Sequence, residues 1–182
     1  HTVKFDKATE IHLTALPRYG TNLTIEGKKG GVIDITALRD VDTAGLQAGL
    51  NLSLKGPASV SISNLDGKAG SLTLEEIGSA TVNSYDGAIA VKTGVTSFSA
   101  DNVVDLTGST FLETETINMT GVVDPNHTGT TADQGPAIAY TTNTDMETVT
   151  LAGTWAGVDL SNQSNLATLV ISGVIVGAIN LS

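Results

Sequence analysis

Apolar and polar residues alternate in short runs along most of the chain. "TNLTIEG", "GVIDIT", "GLNLSLKG", "SVSISNLDG", "SLTLEEIG", "SATVNSYDG", "GAIAVKTG", "VTSFSADN" and "NVVDLTG" follow one another between residues 21 and 108. Each run carries apolar side chains at every second position and closes on or near Gly, Asn or Asp. A period of two is that of a strand with one buried face, and those three residues favour tight turns. The runs recur about every ten residues, which predicts two strands per repeat of roughly twenty residues.

Longer phrases repeat as well. In "METVTLAGTWAGVDLS" (146–161) and "LATLVISGVIVGAINLS" (166–182), Met146, Val149, Leu151, Gly153, Trp155 and Gly157 fall opposite Leu166, Leu169, Ile171, Gly173, Ile175 and Gly177. "VDLS" (158–161) then answers "INLS" (179–182) one residue out of step. Upstream, "ETINMTG" (115–121) echoes "ETVTLAG" (147–153), with an insertion between them. Phrase-level repetition predicts an all-β fold, a parallel β-solenoid in which each coil buries its apolar row only against its neighbours. The alternative is a β-sandwich, which also strings short strands between turns at intervals of about 8–12 residues. The expected organisation is an N-terminal strand, cap or extension over 1–20 and a repeat domain over 21–182, with a loop insertion at 121–136.

Two segments depart from the alternation. "DITALRDVDTAGLQAG" (34–49) spaces Ile35, Leu38 and Val41 helically and predicts one or two helical turns. "GVVDPNHTGTTADQGP" (121–136) is rich in turn formers and without periodicity, as in a long surface loop. At the other end of the chain, Val170, Ile171, Val174, Ile175, Val176 and Ile179 crowd the last turns, with no polar capping segment after them. An open solenoid end exposes strand edges, so the expectation is that the stack continues in further chain or docks onto another copy. The chain opens on His1 rather than Met, as after removal of a leader or within a longer protein.

Composition sharpens this picture. Counts of 26 Thr, 14 Ser and 20 Gly, with only 4% aromatic residues, agree with strands and turns. The most apolar window, "LATLVISGVIVGAI", is interrupted by Thr, Ser and Gly and is shorter than the ~18 apolar residues of a membrane-spanning helix, so no direct membrane insertion is expected. Cysteine is absent, which removes disulfides and thiolate zinc sites. All nine basic residues lie at or before Lys92, whereas 93–182 holds nine acids and no Lys or Arg. Such a surface repels phosphate backbones, so nucleic acid is not an expected partner; a divalent cation or a salty medium suits it better.

The candidate chemistry is sparse. "NTD" (143–145) matches one motif of the polygalacturonases, but the paired-Asp, Gly-His-Gly and Arg-Ile-Lys companions are missing. His1, His12 and His127 show no ligand spacing, and the chain is not expected to be an enzyme. For calcium, Asp124, Asn126 and Asp133 in the loop, with Gln134, and Asp101, Asn102, Asp105 and Asp145 in nearby turns, offer the oxygen ligands the ion takes. Neither an EF-hand loop nor the Gly-Gly-x-Gly-x-Asp nonapeptide is present, and Asp and Asn are ordinary turn formers. Asn22, Asn51, Asn118, Asn126, Asn162 and Asn180 each open a glycosylation sequon, Asn126 in the loop being the most accessible by sequence. Outward Asn on strands also stacks in ladders. Thr-x-Thr occurs at 114–116, 128–130, 142–144 and 148–150. Ice binding needs such a pair once per turn in register; these irregular copies fall short, and the expectation is ordinary outward Thr.

The phrases "TVTLAG … VDLSN" and "L-x-T-L-V-I-S-G … G-A-I-N-L-S" resemble the β-solenoid regions of bacterial surface-layer proteins and large adhesins. These share the Thr/Ser/Gly/Asn/Val composition, the acidic balance and the scarcity of Lys and Cys. The likeness is one of style over most of 21–182. It implies an exported, structural role at the cell surface, in self-assembly of a lattice or in adhesion. The partners are then homo-oligomer or lattice neighbours, or missing parts of the same longer chain. A runner-up is an extracellular filament or viral fibre subunit that completes a neighbour's sheet with residues 1–16. A polysaccharide-acting β-helix enzyme comes third.

Overall fold

The computed structural model describes residues 1–14, 22–36, 51–63, 71–83, 88–103, 110–121, 137–139 and 145–181. Every strand pair in it is parallel. Odd-numbered strands β1 (Thr2–Phe5), β3 (Asn22–Gly27), β5 (Asn51–Lys55), β7 (Ser71–Glu75), β9 (Ala88–Val91) and β11 (Thr110–Phe111) form one sheet. Even-numbered strands β2 (Glu10–Leu13), β4 (Val32–Thr36), β6 (Ser59–Ser63), β8 (Ser79–Asn83), β10 (Ser97–Val103), β12 (Thr116–Gly121), β14 (Thr148–Trp155) and β16 (Thr168–Ile175) form the second. A third holds β13 (Ala137–Ala139), β15 (Gly157–Asp159) and β17 (Ile179–Asn180). The chain is a β-solenoid whose coils follow one another about 20 residues apart. Uniformly parallel pairing disposes of the sandwich, whose sheets are antiparallel. β1 and β2 open the two long sheets, in register with β3 and β4.

Alternation decides what lies inside. In the even sheet, Ile11, Ile33, Val60, Ala80, Phe98, Ile117, Val149 and Leu169 form one inward column, and Leu13, Ile35, Ile62, Val82, Ala100, Met119, Leu151 and Ile171 the next. The odd sheet answers with Leu23, Leu52, Leu72 and Ile89, and with Ile25, Leu54, Leu74, Val91 and Phe111. Most of these are fully buried, each stabilising the stack by roughly 1.5–3 kcal/mol relative to exposure. The rings of Phe98 and Phe111 meet edge to face at 5.2 Å and tie one sheet to the other. Ile35, expected on a helical turn, instead sits buried in β4, because its neighbours in the column supply a strand's inner face. The described residues contain no helix; the rest of that segment, 37–49, lies outside them, as do 122–136 of the expected loop, while Gly121 closes β12.

A repeated corner joins odd to even strands. Gly56, Glu76, Gly94 and Glu113 all take positive φ, and the next residue, Pro57, Ile77, Val95 or Thr114, is buried. Beyond Gly121 the coils approach closely. A Cβ on Gly153 would overlap the Gly121 carbonyl oxygen, and one on Gly173 the Gly153 carbonyl oxygen. Trp155 keeps the inward parity of Val149 and Leu151 and is buried, its Nε1 donating to the Ala152 carbonyl at 2.8 Å.

Candidate functional site

The two long sheets present different outer faces, and the difference follows from register. On the odd sheet, Lys4, Glu26, Lys55 and Glu75 occupy one outward column, with the sign of charge alternating at every coil. Lys4 Nζ lies 2.6 Å from Glu26, and Lys55 Nζ lies 3.1 Å from Glu75 and 3.4 Å from Glu76. The hydrogen bond to Glu26 raises the Lys4 ammonium above its ordinary value, and that to Glu75 does the same for Lys55. Lys92 continues the row, its N–H donating to the Leu74 carbonyl at 2.8 Å. Two outward columns away, at the start of the same strands, runs an amide ladder. Asn51 Nδ2 donates to Asn22 Oδ1 at 2.8 Å, and Ser71 Oγ donates to Asn51 Oδ1 at 3.0 Å. Much of this face is therefore satisfied sideways, along the stack.

Between those two columns the odd sheet holds Thr2, Thr24, Ser53 and Thr73 in register; on the even sheet hydroxyls also take the place of the charge column. Ser59, Ser79, Ser97, Thr116, Thr148 and Thr168 form one outward column, and Ser61, Thr81, Ser99, Asn118 and Thr150 the next, with Val170 closing it. A third begins Ser63, Asn83, Asp101. Asp101 is the single charged residue at an outward register position between β6 and β16. Charge returns only on the first strands, where His12 Nδ1 stands 3.4 Å from Asp34 and its Nε2 3.7 Å from Glu10. Columns repeat at ~4.8 Å between strands and ~6.7 Å along them. This array arises from register rather than from the Thr-x-Thr motifs. Of the 114–116 pair, Thr114 is buried at a corner; among the described residues only 148–150 contributes both members, and 128–130 and 142–144 lie outside them.

Of the residues expected to bind calcium, Asp124, Asn126, Asp133 and Asp105 lie outside the described residues. Asp101 and Asp145 are exposed but at opposite ends of the strands: Asp101 follows the start of β10, Ser97, by four positions, whereas Asp145 precedes Thr148, the start of β14. By register they are about 20 Å apart along the strand direction. Among the described residues no three His, Cys, Asp or Glu side chains gather as a metal group. Asn126 and His127 are likewise not described. Of the other sequon residues, Asn22 and Asn51 are joined in the ladder, Asn118 faces outward from β12, Asn162 has positive φ in a turn, and Asn180 lies in β17.

Asp159 Oδ1 accepts from Ser161 Oγ at 2.6 Å and from the Ser161 N–H at 3.0 Å. These bonds to Ser161 hold its carboxyl below the usual carboxylate range. Here the turn chemistry expected of Asp is what the carboxylate does.

No family model, curated protein or solved structure matches the chain. No helix among the described residues is long and apolar enough to cross a membrane. The hydroxyl face and the charge column went unread in the sequence. The signal that finds them is the residue beside each apolar one, compared across repeats after the insertions are set aside.

Proposed function

We propose that the chain is a structural, non-catalytic module of an extracellular or cell-surface assembly, acting chiefly by self-assembly through coil-on-coil stacking. The observation that carries this is the chemistry of the edge formed by β16 and β17. Both are terminal strands of their sheets. Residues 160–181 hold no charged residue and no Pro, whereas proteins that stay monomeric blunt exposed edges with Lys, Pro or inward charge. Ile179 and Leu181 follow the columns of buried Val158 and Leu160 yet are 48% and 55% exposed. In this reading a further coil of the same construction, from a lattice neighbour or from more of the same chain, covers them. The opposite edge carries Lys4, Glu10 and His12, which disfavours edge-to-edge pairing there. In this reading calcium, held by acidic residues of 93–182 such as Asp101, Asp105, Asp124, Asp133 and Asp145, strengthens the assembly.

Sedimentation velocity over a range of concentrations tests the reading. The expected result is concentration-dependent association that disappears in Ile179→Lys/Leu181→Lys while the circular dichroism stays unchanged. A chain that remains monomeric at every concentration overturns it.

A further inference from the structure

The hydroxyl array on the even sheet has no part in coil stacking, and its chemistry is specific. We propose that the outward face of β6 to β16, centred on Thr116, Thr148, Thr150 and Thr168, is an ice-binding surface. The inference is independent of the self-assembly reading.

Three properties of the face lead there. The first is two-dimensional order. Hydroxyl-bearing residues recur at the same register positions on successive strands, across segments of unequal length. With two nearly constant spacings, ~4.8 Å and ~6.7 Å, the surface is itself a lattice, which matches a crystalline partner better than a small soluble one. The second is the exclusion of charge. This chain has 19 acidic residues to place, yet among the described residues only Asp101 stands at an outward register position on β6 to β16. Ionised groups orient their own hydration shells and so disrupt ordered water, whereas hydroxyls join it as donor and acceptor alike.

The third property is availability. Among the described residues no hydrogen bond joins the outward hydroxyls of Thr116, Thr148, Thr150 and Thr168 to another side chain, in contrast to the Asn22–Asn51–Ser71 ladder on the other sheet. All four are half-buried or exposed, so their hydroxyls meet water while the parallel ladders fix their spacing. Threonine adds a methyl group beside each hydroxyl, and water over a methyl must bond to its own neighbours, which favours the ordered arrangement. A crystalline polysaccharide is the competing lattice. Sugar-binding faces rely on aromatic side chains for rigid contact area, and none stands at these outward positions.

The test is thermal hysteresis and ice-crystal shaping by the whole chain, at concentrations where sedimentation shows a single species. Three proteins are compared: the native chain, Thr150→Lys on the proposed face, and Thr73→Lys on the outer face of the odd sheet. Circular dichroism and melting temperature establish that both variants fold. The native chain is expected to give hysteresis and faceted crystals; Thr150→Lys loses them and Thr73→Lys keeps them. Absence of hysteresis and shaping in the native chain overturns the proposal, as does equal loss in the two variants. Sedimentation with microcrystalline cellulose and chitin completes the set. Binding there without any effect on ice overturns the proposal in favour of a polysaccharide.

Discussion

Thr148 stands beside Thr116 on neighbouring strands, as Thr168 stands beside Thr148, although the chain between the first pair is much longer. The inward residues enforce this. Ile117, Val149 and Leu169 share a buried column, and a slip of one position would send every apolar side chain of a strand to solvent. Extra residues are therefore accommodated between strands, and the outward hydroxyls inherit the core's register. Outer face and core are two readings of one alignment.

The Lys4–Glu26–Lys55–Glu75 column predicts a ladder rather than isolated pairs. Glu75→Lys sets like charges in adjacent coils and is expected to lower the melting temperature, the more so at low salt. The swap Lys55→Glu/Glu75→Lys restores the inner pair but confronts Glu26 and Lys92 with like charge. It should remain less stable than the native chain, and thermal melts at two ionic strengths measure the difference. Full restoration by the swap would show independent pairs.

Glu76 is held at φ 55° in a corner where the neighbouring coils use Gly56 and Gly94. A left-handed conformation costs a residue with a Cβ about 1–2 kcal/mol. Glu76→Gly is expected to stabilise the chain by up to about 1 kcal/mol, since the exposed contact with Lys55 contributes little. Chemical denaturation reads the sign directly.

At Gly153 the outcome is the reverse. A side chain there meets the Gly121 carbonyl oxygen, and φ is +80°. Gly153→Ala is expected to destabilise by about 3 kcal/mol or more, because backbone rather than a side chain must move. Loss of the slow-exchanging amides of β12, β14 and β16 would localise the damage.

Asp159 contributes an acid dependence to stability. Its folded-state value is depressed by the bonds from Ser161, so its stabilisation is present above the unfolded carboxylate's range and is lost as pH falls through the folded value. Following the Asp159 carboxyl by NMR, Ser161→Ala should move its titration upward toward the ordinary value, and the native chain should be the more sensitive to acid below about pH 4.

Much of the fold was legible in sequence because the core is written as alternation. The pairing of Val149 with Leu169, Leu151 with Ile171, Gly153 with Gly173 and Trp155 with Ile175 stands in the structure as aligned, and so does the slip by one residue that sets Val158 beside Ile179. "ETINMTG" and "ETVTLAG" are likewise register partners. Ile35 misled, because one buried residue every three or four positions over a short window looks alike on a helical turn and at a strand end. The outer faces were harder to read. Ser, Thr, Asn, Lys and Glu are all acceptable outward residues, and only three-dimensional register separates an alternating charge column from a hydroxyl array. Thr-x-Thr motifs are no guide to the array, because its columns are built from single Ser and Thr residues that only the register of the strands brings together.

Stacking of like coils between molecules would be visible by negative-stain electron microscopy of the purified chain, in millimolar calcium and again after chelation. Filaments or sheets are expected, with order that dissolves when calcium is removed. Monodisperse particles under both conditions would contradict such stacking.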